Sequence, residues 1–390
     1  MIKQILYFQH VSSLGGSGLC LLKLIQGLDK TQHKPWVVLR EQGPLVALLE
    51  EAGAIIFFDR HQYMFGYCSG FHPEWWELGF YRSILRFPIS AWTGFRWAKK
   101  LVPDVVHVNS MALIASGVGA KLAGCKTIIH IREETMRGWF GFRRRVVAFM
   151  LDHFFDRMIA ICKANRSACG ADPARCELVY DWVAWDKEVA FDPSELRKKL
   201  EIPDCAHVIL FLGGESPIKG TDIFYEALGQ LNGRDDVVVI CAGPGLVPKK
   251  RRQRIYRLKL DFLETQIHVP FLRVGIVQNV GEYLNLSDFL VVPSAVPHFS
   301  NPLIEAGWLG KPTIMSNDVI GREMITDGVD GRLFDPENPH DLAEKMDVLL
   351  NDSLLCRQMG ERAEQKVHAN CSGENVRKIE SIYKEVENGI

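Results

Sequence analysis

The sequence predicts two doubly wound α/β domains, and three observations lead to that prediction. Short β-branched runs alternate with helix-length amphipathic segments along nearly the whole chain, which is typical of βα units on a parallel sheet. The length of 390 residues suits two or three domains, each with its own core. Both halves begin with a strand that runs into a Gly-Gly loop. We expect domains over residues 1–183 and 204–370, a linker over 184–203 and a terminal amphipathic helix over 371–390, packing back toward the first domain.

The apolar runs place the strands of each domain. The candidate strands of the first domain are residues 5–10, 33–40, 54–59, 104–109, 126–132 and 157–162. Those of the second domain are residues 207–214, 236–243, 271–276, 288–294 and 311–316.

The composition excludes several classes of protein. The 46 basic and 47 acidic residues give a net charge of −1, which argues against a nucleic-acid-binding protein. No apolar stretch is long enough to predict a transmembrane helix, and the first residues lack the pattern of a signal peptide. Ten cysteines include no Cys-x-x-Cys pair. We therefore expect a cytoplasmic protein with no metal site.

One region interrupts the alternation. Residues 63–97 contain twelve aromatic side chains, more than one crossover helix needs to bury, so we expect an insertion over about 61–100. The aromatics either pack within an inserted helical hairpin or form a surface that contacts lipid, acceptor or a partner.

Ligands of open parallel sheets bind beyond the carboxyl ends of the strands, so the loops there are the candidate sites. The first loop, residues 10–18, contains Gly15, Gly16 and Ser17 and leads into a helix whose free amides attract anions. Its spacing does not match the dinucleotide pattern, which disfavours a nicotinamide dehydrogenase.

The second half holds a more specific loop. Gly213 and Gly214 follow a buried strand, and Lys219 precedes the next helix. Lys219 is a cation that could neutralise a phosphate, although a lysine in a loop is often only an exposed residue. The order Lys-Gly-Thr is not that of a P-loop, which disfavours ATP hydrolysis of that type.

The third loop precedes a short helix. Asn301 is a good N-cap and Pro302 suits the first helical position, which would place free amides where a diphosphate could lie. Glu305, one turn later, could accept hydrogen bonds from ribose hydroxyls. The helix dipole alone also favours an acidic residue there.

The order of these segments resembles that of a family 4 retaining glycosyltransferase of GT-B fold, with two Rossmann-like domains that face each other across a cleft. The most specific match lies in residues 275–345, which include PLIEAGWLGKPTI. Residues 211–228 resemble the family's phosphate-side segment and residues 274–294 its nucleotide-side segment. The first half matches more weakly, through segments such as GGSGLCLLKLIQGL and TIIHIREE, and the match is weakest at 61–100 and 184–204.

The resemblance implies transfer of a sugar from a nucleotide-sugar, with retained anomeric configuration and without a metal. It implies that Lys219 neutralises the leaving diphosphate and that Glu305 binds the donor ribose. It also implies acceptor-side roles for His130, Arg132 and Glu133. The donor would further contact Gly15, Gly16, Ser17, Gly213, Gly214, His298, Ser300, Asn301, Pro302 and Leu303.

Two positions depart from the family pattern. Pro297 stands where relatives have the first of two glutamates spaced eight apart, which normally contacts the donor sugar. Gly214 stands where relatives have an arginine that shares the diphosphate with the lysine. A donor with fewer hydroxyls, such as a rhamnose or fucose nucleotide, is one hypothesis. Two functions are alternatives to a glycosyltransferase. One is a non-catalytic GT-B binding protein with a decayed donor site, and the other is a GT-B epimerase.

Two basic segments suggest partners. Residues 137–145 combine four arginines with three aromatics, which favours contact with anionic lipid headgroups. Residues 249–259 hold seven Lys or Arg and no acid, a pattern that is more often a solvated helix face. We expect a peripheral enzyme on the inner face of the membrane, with a nucleotide-sugar donor, a glycan or lipid-linked acceptor and no nucleic-acid partner.

Overall fold

The computed structural model describes residues 2–66, 78–135, 137–185, 192–231 and 233–389. The chain divides into two compact units. The first unit comprises Met1–Ala184 with Gly373–Ile390, and the second comprises Trp185–Ser372. Within the described ranges, no helix is both long enough and apolar enough to span a bilayer.

The first unit is built on a parallel sheet of seven strands in its described part, which confirms the predicted α/β class. Its strands are β1 (Lys3–Phe8), β2 (His33–Leu39), β3 (Ile55–Phe58), β4 (Val105–Val108), β5 (Lys126–Ile131), β6 (Arg157–Ala160) and β7 (Cys176–Leu178). Its helices are α1 (Gly16–Gly27), α2 (Pro44–Glu51), α3 (Leu78–Leu101), α4 (Ile114–Leu122), α5 (Phe142–Phe154), α6 (Lys163–Cys169) and, at the carboxyl end of the chain, α15 (Asn375–Asn388).

The strand order β3-β2-β1-β4-β5-β6-β7 is that of a doubly wound sheet. The order reverses between β1 and β4, where Phe8 pairs with Val108. The six predicted strands are present. β7 is a strand that the sequence pattern does not predict, because a run of three residues is too short to show a period.

The terminal helix α15 completes the core of the first unit. Ile379, Ile382 and Val386 are buried in one cluster with β1. The hydroxyl groups of Tyr383 and Tyr7 are 2.8 Å apart. The last helix is therefore part of the first unit's interior.

The second unit has a parallel sheet of six strands among its described residues, in the order β10-β9-β8-β11-β12-β13. These strands are β8 (His207–Leu212), β9 (Val237–Ala242), β10 (Phe271–Gly275), β11 (Phe289–Val292), β12 (Thr313–Ser316) and β13 (Gly331–Phe334). The helices are α7 (Ser194–Lys199), α8 (Thr221–Leu228), α9 (Arg251–Glu264), α10 (Val280–Leu286), α11 (Asn301–Trp308), α12 (Gly321–Met324), α13 (Pro339–Asn351) and α14 (Ser353–Asn370).

The strand order of the second unit reverses between β8 and β11, as that of the first does between β1 and β4. β13 is absent from the prediction, because glycine and arginine interrupt its apolar run. Residues of the expected linker form α7, which belongs to the second unit, and residues 186–191 lie outside the described ranges.

From Leu78 onward, the aromatic-rich region forms the long helix α3, which packs closely on α4. A Cβ atom on Gly94 would lie 1.9 Å from the carbonyl oxygen of Ser116, so only glycine fits at this crossing. Phe65 and Trp97 are buried, whereas Trp92 is 63% exposed. Some of the described aromatic side chains are thus buried in the core, and others are exposed at the surface. Tyr67, Phe71, Trp75 and Trp76 lie outside the described residues, so the expected hairpin is described only in part.

Candidate donor site

The candidate donor site of the second unit lies where β8 and β11 are neighbours in the sheet. The loop after β11 is bonded to the loop after β8, because the amide of Ala295 donates to the carbonyl of Ile218 at 3.1 Å. Next to this bond, Lys219 Nζ lies 2.6 Å from His298 Nε2. The structure therefore brings together two residues that are 79 positions apart in the sequence.

The surroundings of His298 determine its protonation state. Burial, and then the charge of Lys219, lower the pKa of His298 to about 4, so the imidazole is neutral near pH 7. Because an ammonium can only donate, Nε2 of His298 accepts from Lys219, and Nδ1–H donates to the carbonyl of Val296 at 3.0 Å. Burial also lowers the pKa of Lys219. The lysine is thus a partly desolvated cation held in one position, and an arriving anion would stabilise its charge.

The backbone at Gly214 explains why the arginine of the family pattern is missing. Gly214 has a φ of +75°, and a Cβ atom there would lie 2.5 Å from the carbonyl oxygen of Pro244. Any side chain would be strained at this position. The amides of Gly213 and Gly214 both donate to the carbonyl of Ala242, at 3.0 and 3.3 Å. The two glycines therefore shape the loop and direct their amides inward.

The start of α11 differs in detail from the prediction. The N-cap is Ser300 and not Asn301, which is the first helical residue, so Pro302 is second. Pro302 has no amide hydrogen, and the amide of Leu303 donates to the carbonyl of Ser300 at 3.1 Å. A ligand at this helix start would therefore not find free amides at Pro302 or Leu303. Glu305 lies one turn further along and is half-buried.

Glu215 organises the same loop, although the sequence gives no signal for it. Its buried carboxylate is paired with Arg257 of α9 and, at 3.0 Å, with Arg273 of β10. It also accepts from the amide of Leu246 at 2.8 Å. The loop after β8 is thereby tied to α9, to β10 and to the loop after β9.

In the first unit, the Gly-rich loop leads into α1 as predicted. Gly15 is the N-cap of α1, and the helix starts at Gly16. The first turn carries no acidic residue, so nothing there offsets its attraction for an anion. The carbonyl of Ser17 accepts from the side-chain amide of Asn109 at 2.9 Å, which ties the start of α1 to the end of β4.

Arg132 follows β5, and its guanidinium is hydrogen-bonded to residues that follow β4 and β7. Its guanidinium donates to both carboxylate oxygens of Asp181, at 2.6 and 2.8 Å, and to the backbone carbonyl of Asn109 at 3.0 Å. The side chains of Arg132 and Asp181 are only 6% and 5% exposed. Arg132 is therefore a buried, neutralised cation that joins three strand ends. Asp181 and Asn109 are residues that sequence reasoning missed.

His130 lies in the interior, in a chain of buried polar groups. Its Nδ1 is 2.8 Å from Nε2 of His107, whose Nδ1 is 2.7 Å from the hydroxyl of Tyr383. Burial, and then the charge of Arg132, lower the pKa of His107 to about 3 and that of His130 well below its usual value. Both imidazoles are neutral near pH 7. These hydrogen-bonded side chains link β4 and β5 to the terminal helix α15.

Glu133 is also bonded within the first unit. It accepts from the hydroxyl of Ser110 and from the amide of Met111, the latter at 3.2 Å. Burial raises the pKa of Glu133. The three residues predicted for the acceptor side thus lie together at the ends of β4 and β5, but they bond to the protein itself. Their catalytic roles stay a prediction.

Most of the second unit matches a known protein family. The family described as "Glycosyl transferases group 1" matches residues 192–366. A D-inositol 3-phosphate glycosyltransferase 2 from Catenulispora acidiphila is 28% identical over 221 residues, which is 53% of this chain and 51% of the relative. A lipopolysaccharide 1,2-N-acetylglucosaminetransferase from Salmonella typhimurium is 26% identical over 186 residues, 46% of this chain and 49% of the relative. The chain thus matches these curated relatives over about half of their length.

Solved structures resemble the chain over nearly its whole length. The Anabaena protein HepE, in a complex with UDP and glucose, superimposes with a TM-score of 0.78 at 20% identity and covers 98% of this chain and 100% of its own. A glycosyltransferase from Rickettsia africae gives a TM-score of 0.74 at 19% identity, over 99% and 98% of the two chains. These similarities show the GT-B fold class of two Rossmann-like α/β units. Residues 192–366, which contain Lys219, His298 and Glu305, are therefore similar to the group 1 glycosyltransferase family.

Proposed function

We propose that the protein is a retaining glycosyltransferase that moves a sugar from a nucleotide-sugar to a glycan or lipid-linked acceptor. Its product would serve polysaccharide or glycoconjugate biosynthesis. The observation that carries the proposal is the partly buried contact of Lys219 with His298, just before α11 and within the matched group 1 segment. The relatives' names and the UDP bound by HepE point to the same class of reaction.

The donor site would stabilise the leaving diphosphate with the protein's own charges. Lys219 would donate to the phosphate oxygens as the bond from the anomeric carbon to oxygen breaks. The start of α11 adds the partial positive charge of a helix N-terminus. Glu305 would accept hydrogen bonds from the ribose. This set of groups requires no metal ion, and we propose that none takes part.

The acceptor side would lie at the ends of β4 and β5. His130, Arg132 and Glu133 are bonded internally there. In this state they hold the surrounding loops in place. A direct catalytic role for any of them requires that one of these bonds opens when substrate binds.

The donor sugar is the open part of the proposal. Pro297 cannot supply the carboxylate that relatives use to contact sugar hydroxyls, which favours a deoxy-sugar donor. The test is a panel of UDP-glucose, GDP-mannose, dTDP-rhamnose and GDP-fucose, with thermal shifts by UDP, GDP and dTDP to identify the base. A clear preference for UDP-glucose or GDP-mannose would refute the deoxy-sugar hypothesis.

Replacement of Glu305 by alanine separates a transferase from a binding protein with a decayed donor site. We expect turnover with the preferred donor to fall about 10- to 100-fold, because hydrogen bonds to a charged group are lost. Glu305→Gln, which can still accept one bond, should lose less. The unfolding temperature of each variant shows whether its fold is intact. Unchanged turnover in Glu305→Ala would remove Glu305 from the proposed donor site.

We also propose that the first unit contacts anionic membrane lipids from the cytoplasmic side. Arg143 is buried and Arg144 donates to the carbonyl of Ser167, so the basic contribution of segment 137–145 comes from Arg137 and Arg145. The helix α3 contains five basic and no acidic residues. Five of its exposed apolar side chains recur at helical spacing, and they are Leu78, Tyr81, Leu85, Ile89 and Trp92. Ile84 is exposed as well.

The membrane contact is tested by sedimentation with vesicles. Leu85→Ser/Trp92→Ser should reduce binding to vesicles that contain phosphatidylglycerol about tenfold, since the apolar face of α3 supplies the insertion. Lys378→Gln, at an exposed position of α15, is the matched control. Binding of the wild-type chain that does not depend on anionic lipid would count against the contact.

A further inference from the structure

The helix α9 of the second unit has an outer face that the fold does not use. Its inner face is anchored, because Leu260 is fully buried in the core. Tyr256 and Leu263 pack against the same core cluster. On the opposite side, Ile255, Leu258 and Phe262 are 58%, 68% and 65% exposed. They are spaced three and four residues apart, so they form one stripe along the helix.

The basic residues of this segment fall into two groups. Arg257 is paired with Glu215 and Asp261, and Lys259 with Asp222 and Glu226. These two cations serve the second unit itself.

The other five basic residues are exposed at the beginning of the helix. Within the part of the chain that the structure describes, none of them forms an ion pair. They are Lys249, Lys250, Arg251, Arg252 and Arg254.

We infer that the outer face of α9 is a docking surface for anionic lipid headgroups. A solvated helix face, the ordinary meaning of a charged run, would carry polar side chains where Ile255, Leu258 and Phe262 lie. An apolar stripe next to a dense group of cations fits the boundary of an anionic bilayer, where the stripe enters the acyl region and the cations bind phosphates. These five cations form no ion pair with the residues that the structure describes, and their charge is complementary to that surface.

This surface extends the proposed membrane contact to the second unit, and it does not depend on the transfer reaction. It is separate from α3 and from segment 137–145, which belong to the first unit. Arg257, which pairs α9 with Glu215 of the donor loop, is not part of this surface and is kept in both variants below.

The experiment measures sedimentation of the full chain with vesicles of phosphatidylcholine alone or with 30% phosphatidylglycerol. One variant removes charge, Lys249→Gln/Arg251→Gln/Arg252→Gln, and a second removes the stripe, Leu258→Ser/Phe262→Ser. The matched control is Leu354→Ser/Arg357→Gln on α14, where Leu354 is 55% exposed and Arg357 is exposed. UDP binding and the unfolding temperature of each variant report on the donor site and the fold.

The wild-type chain should sediment with the anionic vesicles and much less with phosphatidylcholine. Each cation near an anionic surface raises partitioning about fivefold, so the charge variant should bind at least tenfold more weakly. The stripe variant should also bind about tenfold more weakly, because it removes two apolar side chains from the acyl boundary. The control should bind like the wild type, and UDP binding should not change.

Three results would overturn the inference. The first is unchanged vesicle binding by both α9 variants, with loss of binding in the α3 variant alone. The second is weaker UDP binding in the charge variant, which would assign the cations to the donor. The third is a wild-type dimer that the stripe variant converts to a monomer, which would make the face a protein interface.

Discussion

Replacement of Lys219 by methionine is expected to weaken binding of the donor's nucleoside diphosphate about 10- to 100-fold and to lower the transfer rate by a similar or larger factor. The variant removes a half-buried cation whose pKa is already lowered by burial, so a diphosphate would interact with it more strongly than in water. Methionine keeps most of the side-chain volume. Calorimetric titration with UDP, GDP and dTDP, and a transfer assay with the preferred donor, measure the two effects.

Two further variants make this result specific. Lys199→Met removes an exposed lysine of α7 in the same unit and should leave binding unchanged. His298→Ala removes the acceptor that holds Lys219 in place, and we expect a loss of affinity smaller than that of Lys219→Met. His298→Gln, which retains an acceptor, should recover part of it. Equal affinity in the wild type and in Lys219→Met would exclude this lysine from the donor site.

Replacement of Arg132 by methionine is expected to lower the free energy of unfolding by about 3–5 kcal/mol, because it leaves the carboxylate of Asp181 buried without its cation. The hydrogen bond from Arg132 to the carbonyl of Asn109 is lost as well. Urea denaturation followed by circular dichroism measures the change. Lys121→Met, which breaks a half-exposed pair with Asp156, should cost much less.

The double variant Arg132→Met/Asp181→Leu distinguishes a structural arginine from a catalytic one. Apolar replacement of both partners of a buried ion pair is often close to neutral, so most of the lost stability should return. If Arg132 also acts on the substrate, transfer activity stays low after stability returns. If Arg132 only joins the strand ends, activity recovers with stability. A single variant as stable as the wild type would contradict the ion pair's structural role.

Much of the fold can be predicted from the sequence, because strand cores are local apolar runs. The eleven predicted strands are all present, and their parallel order follows from the alternation with helices. β7 and β13 are missed because they are short or interrupted, and they are held by pairing with β6 and β12 rather than by their own composition. The N-cap of α11 is misplaced by one residue, since both Ser300 and Asn301 are suitable caps.

The candidate site is predictable in its loops but not in its contacts. Lys219 and Glu305 stand out from their positions after strands and from the family resemblance. Asp181, His107 and Glu215 do not stand out, because each acts on a partner that is distant in the sequence. Burial then decides the chemistry of such groups, and burial is not a local property of the chain.

The sequence by itself determined two doubly wound α/β units, the loops at their strand ends and the group 1 segment, since all of these are encoded in local patterns of apolar, glycine and capping residues. Only the tertiary structure decided which cations are paired within the protein and which remain exposed to a ligand or a surface. It buries Arg132 against Asp181, pairs Lys219 with His298 and leaves the basic start of α9 exposed beside an apolar stripe. The physical reason is that a charge acquires its role from the groups that surround it after folding, and those groups come from distant parts of the chain.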